Sequence, residues 1–351
     1  MSWVQELARP EIVALEPYRH AAWEPSLERL HANELPWRPA DDDSAAGLNR
    51  YPEPQPRALV ERLAQLYSVP RDCVLVGRGS DEAIDLLTRT FCRAGRDAVL
   101  VCPPTFGMYS VCARIQGAEV AQAPLLAADG FALDGDAVLA RCVPGVKLVF
   151  LCSPNNPTGN LLDESQILRL ARRLAGRAMV VVDEAYLEFA ARPSLARLLA
   201  QLPNLAILRT LSKAYGLAGA RCGALIADPE VIALLRKIIP PYAIPQLTLE
   251  AALRHLTPDA LAASRAHLAV LMQERQRLTD ALPRLPGVTR VWPSDANFLL
   301  AEFNDAGAAL ARSREARLLV RDARGYPGLG RALRITVGTP EQNGRLLEAW
   351  G

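Results

Sequence analysis

The 351-residue sequence is poor in several kinds of residue and motif, and each shortage excludes a class of partner or site. Its 40 basic residues include only three lysines, Lys147, Lys213 and Lys237, and the rest are arginines. The formal net charge of +2 is too small to indicate nucleic acid or an acidic membrane surface as a partner. No apolar run is long enough to span a bilayer, and the first six residues lack the features of a signal peptide. We therefore expect a cytoplasmic protein that binds neither membrane nor nucleic acid.

Signals for disulfides and metal sites are also missing. The seven cysteines include no Cys-x-x-Cys pair, and their odd number argues against a full disulfide framework. Several lie in apolar runs such as Leu148–Cys152, where we expect small buried hydrophobic residues. The four histidines show no metal-ligand spacing, so the sequence predicts no metal site.

The pattern of apolar runs indicates the fold class. From about residue 57 to 240, short apolar runs alternate with helical patterns. The predicted strands are Cys73–Val76, Ala98–Cys102, Ala118–Gln122, Val146–Cys152, Ala178–Val182, Leu205–Leu208 and Cys222–Ala227, and the helices include Ser80–Cys92, Glu164–Leu174 and Pro229–Ile238. Many of these strands are continuously apolar, so both faces should be buried in a mostly parallel sheet with helices on each side. The pattern predicts a doubly wound α/β domain with seven strands.

The last third of the chain has a different pattern. Pro240, Pro241 and Pro245 interrupt the alternation, and a long amphipathic stretch follows, from Leu247 to Leu282. Residues 287–351 mix helices with the short predicted strands Asn297–Glu302 and Ala332–Val337, which is typical of a smaller α+β domain. The predicted organisation is an N-terminal arm of residues 1–45, a large α/β domain of residues 46–245 and a small C-terminal domain of residues 246–351.

Lys213 stands out because lysine is so rare in this chain. It lies just past the predicted strand Leu205–Leu208, where open α/β sheets bind ligands. Its amine can form a Schiff base, which arginine cannot, and Ser212 and Arg221 nearby would suit a phosphate. Together these features suggest pyridoxal phosphate (PLP). The alternative is a solvated loop lysine, and the rest of the chain has to decide between the two.

Polar side chains after two other predicted strands fit the same hypothesis. Asp183 ends the most apolar strand, and a carboxylate is costly to bury there without a cationic partner. It is either a helix N-cap or the partner of a protonated pyridine nitrogen, and that pairing keeps the ring an electron sink. Tyr186 would then reach the phenolic oxygen of the ring. Asn156, in Ser153–Gly159, is part of a simple turn or presents an amide to a cofactor hydroxyl.

Two further segments follow strands. Gly77–Ile84 opens a helix whose backbone N–H groups form an anion site. The alternative is that Ser80 or Asp81 is simply its N-cap, and both interpretations can hold together. A dinucleotide loop is less favoured, because the third glycine is missing. Phe106 can stack on a cofactor ring or simply belong to the core.

Two arginines in the small domain are candidates for binding a substrate anion. Arg334 interrupts an apolar strand, so we expect it to have a buried anionic partner. With Arg321 it could clamp a substrate that carries two anionic groups. Ordinary surface salt bridges are the alternative, and they fit Arg321 better than Arg334.

Taken together, these motifs resemble the fold type I PLP-dependent aminotransferases, and within them the histidinol-phosphate branch. The resemblance runs from Asn49–Glu53 through Pro154–Gly159, Val182–Tyr186 and Leu211–Ala214 to Leu333–Thr339. Two departures occur: Phe106 stands where this branch often has tyrosine, and Asn33–Pro36 is a looser form of a family segment.

The resemblance implies a role for each matching residue. Lys213 would hold PLP as a Schiff base and act as general base, and Asp183 would pair with the pyridine nitrogen. Tyr186 and Asn156 would bond the phenolic oxygen, and Phe106 would stack on the ring. The residues implied to hold the phosphate are Ser80, Asp81, Ser212 and Arg221, with Tyr51 reaching the site of a neighbouring subunit in a homodimer. Arg334 and Arg321 would bind the anionic groups of small-molecule substrates, with Asn156 beside them.

The implied reaction is transamination between L-histidinol phosphate with 2-oxoglutarate and imidazole-acetol phosphate with L-glutamate, a step of histidine biosynthesis. An aromatic or broad-specificity aminotransferase and an amino-acid-phosphate decarboxylase remain alternatives, because the PLP-binding motifs are shared. A PLP-binding regulator is a further alternative, but too little chain precedes the α/β domain to hold a winged helix. A nicotinamide-dependent dehydrogenase is disfavoured by the incomplete glycine fingerprint.

Overall fold

The computed structural model describes residues 2–24 and 26–351, which form twelve α-helices and eleven β-strands. The helices are α1 (Trp3–Leu7), α2 (Pro10–Val13), α3 (Arg57–Tyr67), α4 (Ser80–Phe91), α5 (Met108–Gln116), α6 (Gly135–Arg141), α7 (Glu164–Arg173), α8 (Pro229–Arg236), α9 (Gln246–His255), α10 (Pro258–Ala281), α11 (Ala306–Glu315) and α12 (Pro340–Trp350). The strands are β1 (Val74–Gly77), β2 (Ala98–Val101), β3 (Glu119–Gln122), β4 (Val146–Cys152), β5 (Met179–Asp183), β6 (Leu205–Thr210), β7 (Gly223–Ala227), β8 (Val288–Val291), β9 (Phe298–Phe303), β10 (Arg321–Asp322) and β11 (Ala332–Thr336).

Seven strands form one large sheet in the order β1-β7-β6-β5-β4-β2-β3. Strands β3, β2, β4, β5 and β6 are mutually parallel, whereas β7 runs antiparallel to both of its neighbours. The predicted seven-stranded, mostly parallel sheet is confirmed, with strand ends displaced by one or two residues. Right-handed crossovers between parallel strands place helices on both faces of such a sheet.

The large sheet is buried on both faces, as the continuously apolar strands predict. Along β5, Val180 and Val182 enter one core cluster, while Met179 and Val181 enter the other. Successive side chains of a strand point to opposite faces, so a strand with two buried faces must be apolar at every position.

A second sheet forms a smaller α+β unit with its own core. Its four strands are antiparallel, in the order β10-β11-β9-β8. One face packs against α10, α11 and α12, with Phe303 stacked edge-on against Trp350 at 5.0 Å between ring centroids. The Trp350 indole donates to the Ala309 carbonyl at 3.0 Å, so its buried N–H is satisfied.

The amphipathic stretch Leu247–Leu282 forms two helices, α9 and α10, which are separated at Leu256 and Thr257. Thr257 caps α10 by accepting from the Ala260 backbone N–H at 3.4 Å, and Pro258 occupies the first helical position. Proline lacks the N–H needed to continue a preceding helix, which explains the break. The sequence pattern also missed the short strands β8 and β10.

No helix in the described ranges is both long enough and apolar enough to cross a membrane.

Candidate active site

The sheet topology brings the predicted site residues to one edge. Strands β4, β5 and β6 are parallel neighbours, so the segments that follow them, carrying Asn156, Asp183 and Lys213, meet where the strands end. Because β7 is antiparallel, its beginning lies at that same edge, and Arg221 is two residues before it. Ligands of open α/β sheets bind at such an edge. A single edge therefore receives a carboxylate, an amine, an amide and a guanidinium.

Asp183 is buried without a cationic partner. Its side chain closes β5, the residue is 3% exposed, and no ion pair to it occurs among the described residues. Oδ1 accepts from the Ala185 N–H at 3.1 Å, and Oδ2 accepts from the Tyr109 hydroxyl at 2.8 Å. Burial raises the pKa of Asp183 to about 6, although both hydrogen bonds act to lower it. Asp183 does not cap an α-helix, so the alternative of an N-cap is wrong, and the carboxylate remains available to a cationic ligand.

Lys213 lies close to Asp183 and to two guanidinium groups. Its Nζ is 5.6 Å from the centroid of the Tyr186 ring, which is itself buried. The pKa of Lys213 is lowered, first by burial and then by the charges of Arg334 and Arg221. A lowered pKa increases the fraction of neutral amine, which is the nucleophilic form. Lys213 is exposed to solvent in the single chain. The preference for a reactive amine over a solvated loop lysine therefore rests on its charged neighbours.

An anion cradle forms between α4 and the start of β7. Arg221 donates through Nη1 to Ser212 Oγ and through Nη2 to Asp81 Oδ2, both at 3.2 Å. The N-cap of α4 is Gly79, not Ser80 or Asp81, and no side chain caps the helix. The prediction of a Ser80 or Asp81 N-cap is thus wrong. Gly79 has φ of 82°, and a Cβ there would lie 3.0 Å from Arg221 Nη2.

The absence of a cap leaves the first backbone N–H groups of α4 free of side-chain acceptors. Together with the Arg221 guanidinium and the Ser212 hydroxyl, they form a positive concavity suited to a phosphate. The Asp81 carboxylate is paired with Arg221, so Asp81 can offer a phosphate only its backbone N–H.

Arg334 reaches from the small sheet to the loop after β4. Its Nη1 donates to the side-chain oxygen of Asn156, and its Cζ lies 5.2 Å from the centroid of the Phe298 ring. No ion pair to Arg334 occurs within residues 2–24 and 26–351, and its buried Nε has no partner there. The predicted buried anionic partner is therefore wrong for the described chain. A partly buried guanidinium bonded only to an amide is available to an anionic ligand.

Arg321 lies directly opposite Arg334 in the antiparallel pair of β10 and β11. Side chains at directly opposed positions share one face of a sheet, and opposed like charges are unfavourable without an anion. Arg321 is exposed, and its own neighbourhood includes Asp322. Its prediction as a second anion-binding group stays a prediction.

Two predicted aromatic positions differ in how they relate to the site. Phe106 is partly buried and packs edge-on against Tyr109, with ring centroids 5.6 Å apart and an interplanar angle of 83°. Tyr51 is 48% exposed and stacks on Tyr242 at 4.5 Å. Among the described residues, no hydrogen bond, ion pair or ring contact joins Tyr51 to the other predicted site residues. Its place in a neighbouring site stays a prediction.

Sequence reasoning missed residues that support the site from beneath. Tyr109 bonds Asp183, and Arg209, four residues before Lys213, makes a buried ion pair with Glu184 at 2.8 Å. The only signal for Arg209 is a charged residue inside an apolar strand, and the only signal for Tyr109 is its position three residues after Phe106. Phe298 was also missed, although its ring packs edge-on against Tyr186 at 5.1 Å.

Comparison with known proteins identifies the family. Residues 30–349 match the family described as aminotransferase class I and II, which is most of the chain. The chain belongs to the class I and II aminotransferases. The aminotransferase is 51% identical over 352 residues to the histidinol-phosphate aminotransferase of Stenotrophomonas maltophilia, covering 99% of this chain and 96% of that protein. It is also 51% identical over 323 residues to the protein of the same name from Xanthomonas euvesicatoria, covering 91% and 88%.

Solved structures share the fold of this aminotransferase. The histidinol-phosphate aminotransferase of Sinorhizobium meliloti, solved in complex with pyridoxal-5'-phosphate, superimposes with a TM-score of 0.77 at 25% identity over 86% of this chain and 82% of that chain. The L-threonine-O-3-phosphate decarboxylase of Porphyromonas gingivalis superimposes with a TM-score of 0.71 at 28% identity, over 86% and 90%. The same scaffold thus carries both transamination and decarboxylation in related proteins.

Proposed function

We propose that this aminotransferase is a PLP-dependent enzyme that interconverts L-histidinol phosphate plus 2-oxoglutarate and imidazole-acetol phosphate plus L-glutamate. The observation that carries the proposal is the convergence of Lys213 with the buried Asp183 and the partly buried Arg334, neither of which has an oppositely charged partner in the described chain. Unpaired buried charges are costly unless a ligand completes them. The two relatives described above, each 51% identical and named histidinol-phosphate aminotransferase, support this substrate.

The residues at the sheet edge fit PLP group by group. When bound, PLP supplies an aldehyde and an electron sink for the carbon that exchanges its amine. The N-terminus of α4 with Ser80 and Asp81, together with Ser212 and Arg221, would hold the phosphate. Asp183 would accept from the protonated ring nitrogen, and Phe106 would cover a ring face. Tyr186 and Asn156 would donate to the phenolic oxygen.

Lys213 would carry the proton transfers of the reaction. Its amine would hold the cofactor covalently. Once substrate has displaced it, the freed amine would move a proton in a 1,3-shift, from the substrate carbon to the cofactor carbon on the other side of the exchanging nitrogen. The lowered pKa of Lys213 favours the neutral amine that abstracts this proton.

Arg334 would bind the anionic group of each substrate in turn. A guanidinium fork matches both a carboxylate and a phosphate oxygen pair, so one residue can serve glutamate and histidinol phosphate. Arg321, opposite it in the sheet, would add a second positive charge. Arg334 already contacts Asn156, so substrate binding would act directly beside the cofactor oxygen.

The aminotransferase would act as a homodimer in the cytoplasm. Eight large hydrophobic residues between positions 15 and 51 are exposed in the single chain, including Leu30 at 95% and Trp37 at 73%. Such a concentration of apolar surface is typical of an interface, and it supports a role of the proposed arm, residues 1–45, in a dimer. The proposed domains are residues 46–245 and 246–351. The seven cysteines are all unpaired and buried, which supports a reducing compartment.

The scarcity of lysine makes a direct test of the cofactor possible. Purified protein should absorb above about 400 nm, where protein alone is transparent and the lysine-bound cofactor is coloured. Lys213→Ala should lose this band, whereas Lys147→Ala, at a lysine in β4, should keep it. If no band appears after addition of PLP, or if Lys213→Ala keeps it, the proposed cofactor site is wrong.

The same spectrum discriminates between substrates. L-histidinol phosphate, L-phenylalanine and L-threonine phosphate are added separately without an amino acceptor. Bleaching by histidinol phosphate at the lowest concentration supports the proposed substrate. Bleaching by phenylalanine alone would indicate an aromatic aminotransferase, and release of carbon dioxide from threonine phosphate would indicate a decarboxylase.

The role of Tyr51 across the dimer can be tested by complementation. Mixed dimers of Lys213→Ala and Tyr51→Ala subunits would contain one site with both residues intact, if Tyr51 serves the neighbouring subunit. Activity of the mixture should then exceed that of either variant alone. A mixture no more active than the sum of its parts would show that Tyr51 does not act across an interface.

A further inference from the structure

Tyr109 lies beneath the proposed cofactor site and has no assigned role. It is 0% exposed and lies in the first turn of α5, three residues after Phe106. Its ring is nearly parallel to that of Phe150 in β4, with centroids 4.9 Å apart and an interplanar angle of 3°. Its edge contacts Phe106 at 5.6 Å. These contacts restrict the Tyr109 ring to one orientation, so its hydroxyl points in a defined direction.

The Tyr109 hydroxyl points at Asp183 and donates to Oδ2 at 2.8 Å. The Ala185 N–H occupies the other carboxylate oxygen at 3.1 Å. With one donor on each oxygen, rotation of the carboxylate about its terminal bond is restricted, and each oxygen keeps lone pairs for a further donor. Two fixed donors thus define the plane of the group that would face the cofactor.

The interaction also affects the charge of Asp183. Burial raises its pKa to about 6, and the Tyr109 hydrogen bond is the largest effect that opposes this increase. Without it the carboxyl would hold a proton at higher pH and would no longer accept from a pyridinium N–H.

We propose that Tyr109 is a positioning residue that keeps Asp183 ionised and oriented toward the ring nitrogen of the cofactor. The proposal rests on the proposed function, since it assumes that Asp183 faces that nitrogen. It also explains why a polar hydroxyl is placed in an otherwise aromatic and aliphatic core. The ring of the same residue supports Phe106, so one side chain fixes both the partner of the nitrogen and the ring-stacking group.

Other titratable groups near Asp183 must be considered in any pH experiment. The Cys152 thiol contacts the Tyr109 hydroxyl, and burial raises the pKa of that thiol. Asp81 and Glu184 act on Asp183 through their charges, and Lys213 is close enough for Asp183 to influence its pKa. None of these groups lies on α5.

The first test uses the protein without cofactor. Tyr109→Phe removes only the hydroxyl, and the matched control is Tyr67→Phe, because Tyr67 is also buried and its hydroxyl has no partner among the described residues. Isotope-edited infrared or carbon NMR signals of Asp183, assigned with Asp183→Asn, report its titration. Tyr109→Phe should raise the pKa of Asp183 by about one unit, as expected for loss of one hydrogen bond to a charged group. An unchanged titration would overturn the proposal.

The second test uses PLP-loaded enzyme. Tyr109→Phe should weaken PLP binding about tenfold, as expected for one hydrogen bond to a charged group, and lower kcat without changing KM for glutamate, because Tyr109 does not touch the substrate. In an Asp183→Asn background, the same change should have no further effect, since its target is gone. Equal effects in both backgrounds would show that Tyr109 acts only through packing.

The outcomes separate this inference from the proposed function. If wild-type protein binds no PLP, the proposed function fails, while the titration of Asp183 still reports on Tyr109. If wild-type protein binds PLP and transaminates but Tyr109→Phe matches it in titration, affinity and kcat, only the role of Tyr109 is wrong.

Discussion

Arg209 is the residue whose removal we expect to destabilise this aminotransferase most clearly. It lies in β6 with its side chain 6% exposed, and it pairs with Glu184 at 2.8 Å and with Glu188 at 2.5 Å. Its guanidinium also lies 4.8 Å from the centroid of the Tyr67 ring. Burial acts to lower the pKa of Arg209, but the charges of Glu188 and Glu184 more than offset it, and the net pKa is raised. The network joins β6, which leads to Lys213, to the segment after Asp183.

The size of the effect follows from what the substitution Arg209→Met leaves behind. Glu184 has a side chain only 2% exposed, and without Arg209 it would be a buried carboxylate with no cation. Removing one partner of a buried ion pair costs about 3–5 kcal/mol. An unfolding entropy of about 2.1 cal/mol/K per residue gives roughly 0.7 kcal/mol/K for a chain of this length, so the melting temperature should fall by about 4–7 °C.

The assay is thermal unfolding of the cofactor-free protein followed by circular dichroism. The matched control is Arg71→Met, which breaks an ion pair with Glu61 whose side chains are 69% and 48% exposed. Exposed pairs contribute about 0–1 kcal/mol, so this variant should melt within about 1.5 °C of the wild type. If Arg209→Met also melts within that margin, the buried network does not stabilise the fold as described.

The pH dependence gives an independent check of the cause. Burial already raises the pKa of Glu184 in the wild type, and loss of Arg209 would raise it further. When the pKa of a carboxyl is higher in the folded state than in the unfolded state, the folded state binds the proton more tightly. Lowering the pH therefore stabilises the folded form. The deficit of Arg209→Met should therefore be largest near neutral pH and shrink as pH falls toward about 4.3, the ordinary value for glutamate. A deficit that does not change with pH would point to lost packing instead of an unpaired charge.

Three other substitutions test separate parts of the structure. Gly223→Ala places a Cβ 2.7 Å from the Arg209 carbonyl oxygen, so overpacking should destabilise the protein by about 1–3 kcal/mol in a denaturant titration; unchanged stability would contradict this close contact. Arg334→Lys keeps the charge but loses the two-pronged guanidinium donor. Because hydrogen bonds to a charged group contribute about 1.5–3 kcal/mol, kcat/KM for glutamate should fall about 10- to 100-fold. The melting temperature should not change. Glu34→Gln weakens the ion pairs of the buried Glu34 carboxylate with Arg29 and Arg50, at 2.7 and 3.0 Å, and should lower the free energy of unfolding by about 1–3 kcal/mol. Equal stability would show that the pairs contribute little.

Much of the fold could be predicted because its strongest signals are local. The strand Val146–Cys152 is confirmed at both ends, and Met179–Asp183 differs by one residue, since a strand buried on two faces must be apolar throughout. The start of α4 at Ser80 was also predicted, although its cap was assigned to the wrong residue. The division into domains at residues 45 and 245 stays a prediction.

The sequence by itself determined the family, the large sheet and the short segments that carry Lys213, Asp183 and Asn156, because glycine, proline and apolar runs act on their immediate neighbours. Only the tertiary structure decided how those segments meet. The antiparallel direction of β7 brings Arg221 to α4, the small sheet brings Arg334 to Asn156, and α5 brings Tyr109 under Asp183. These contacts join residues 74 to 178 positions apart in the chain. A local pattern carries no signal for such contacts, because their energy depends on burial and direction that exist only once the sheet edge has formed.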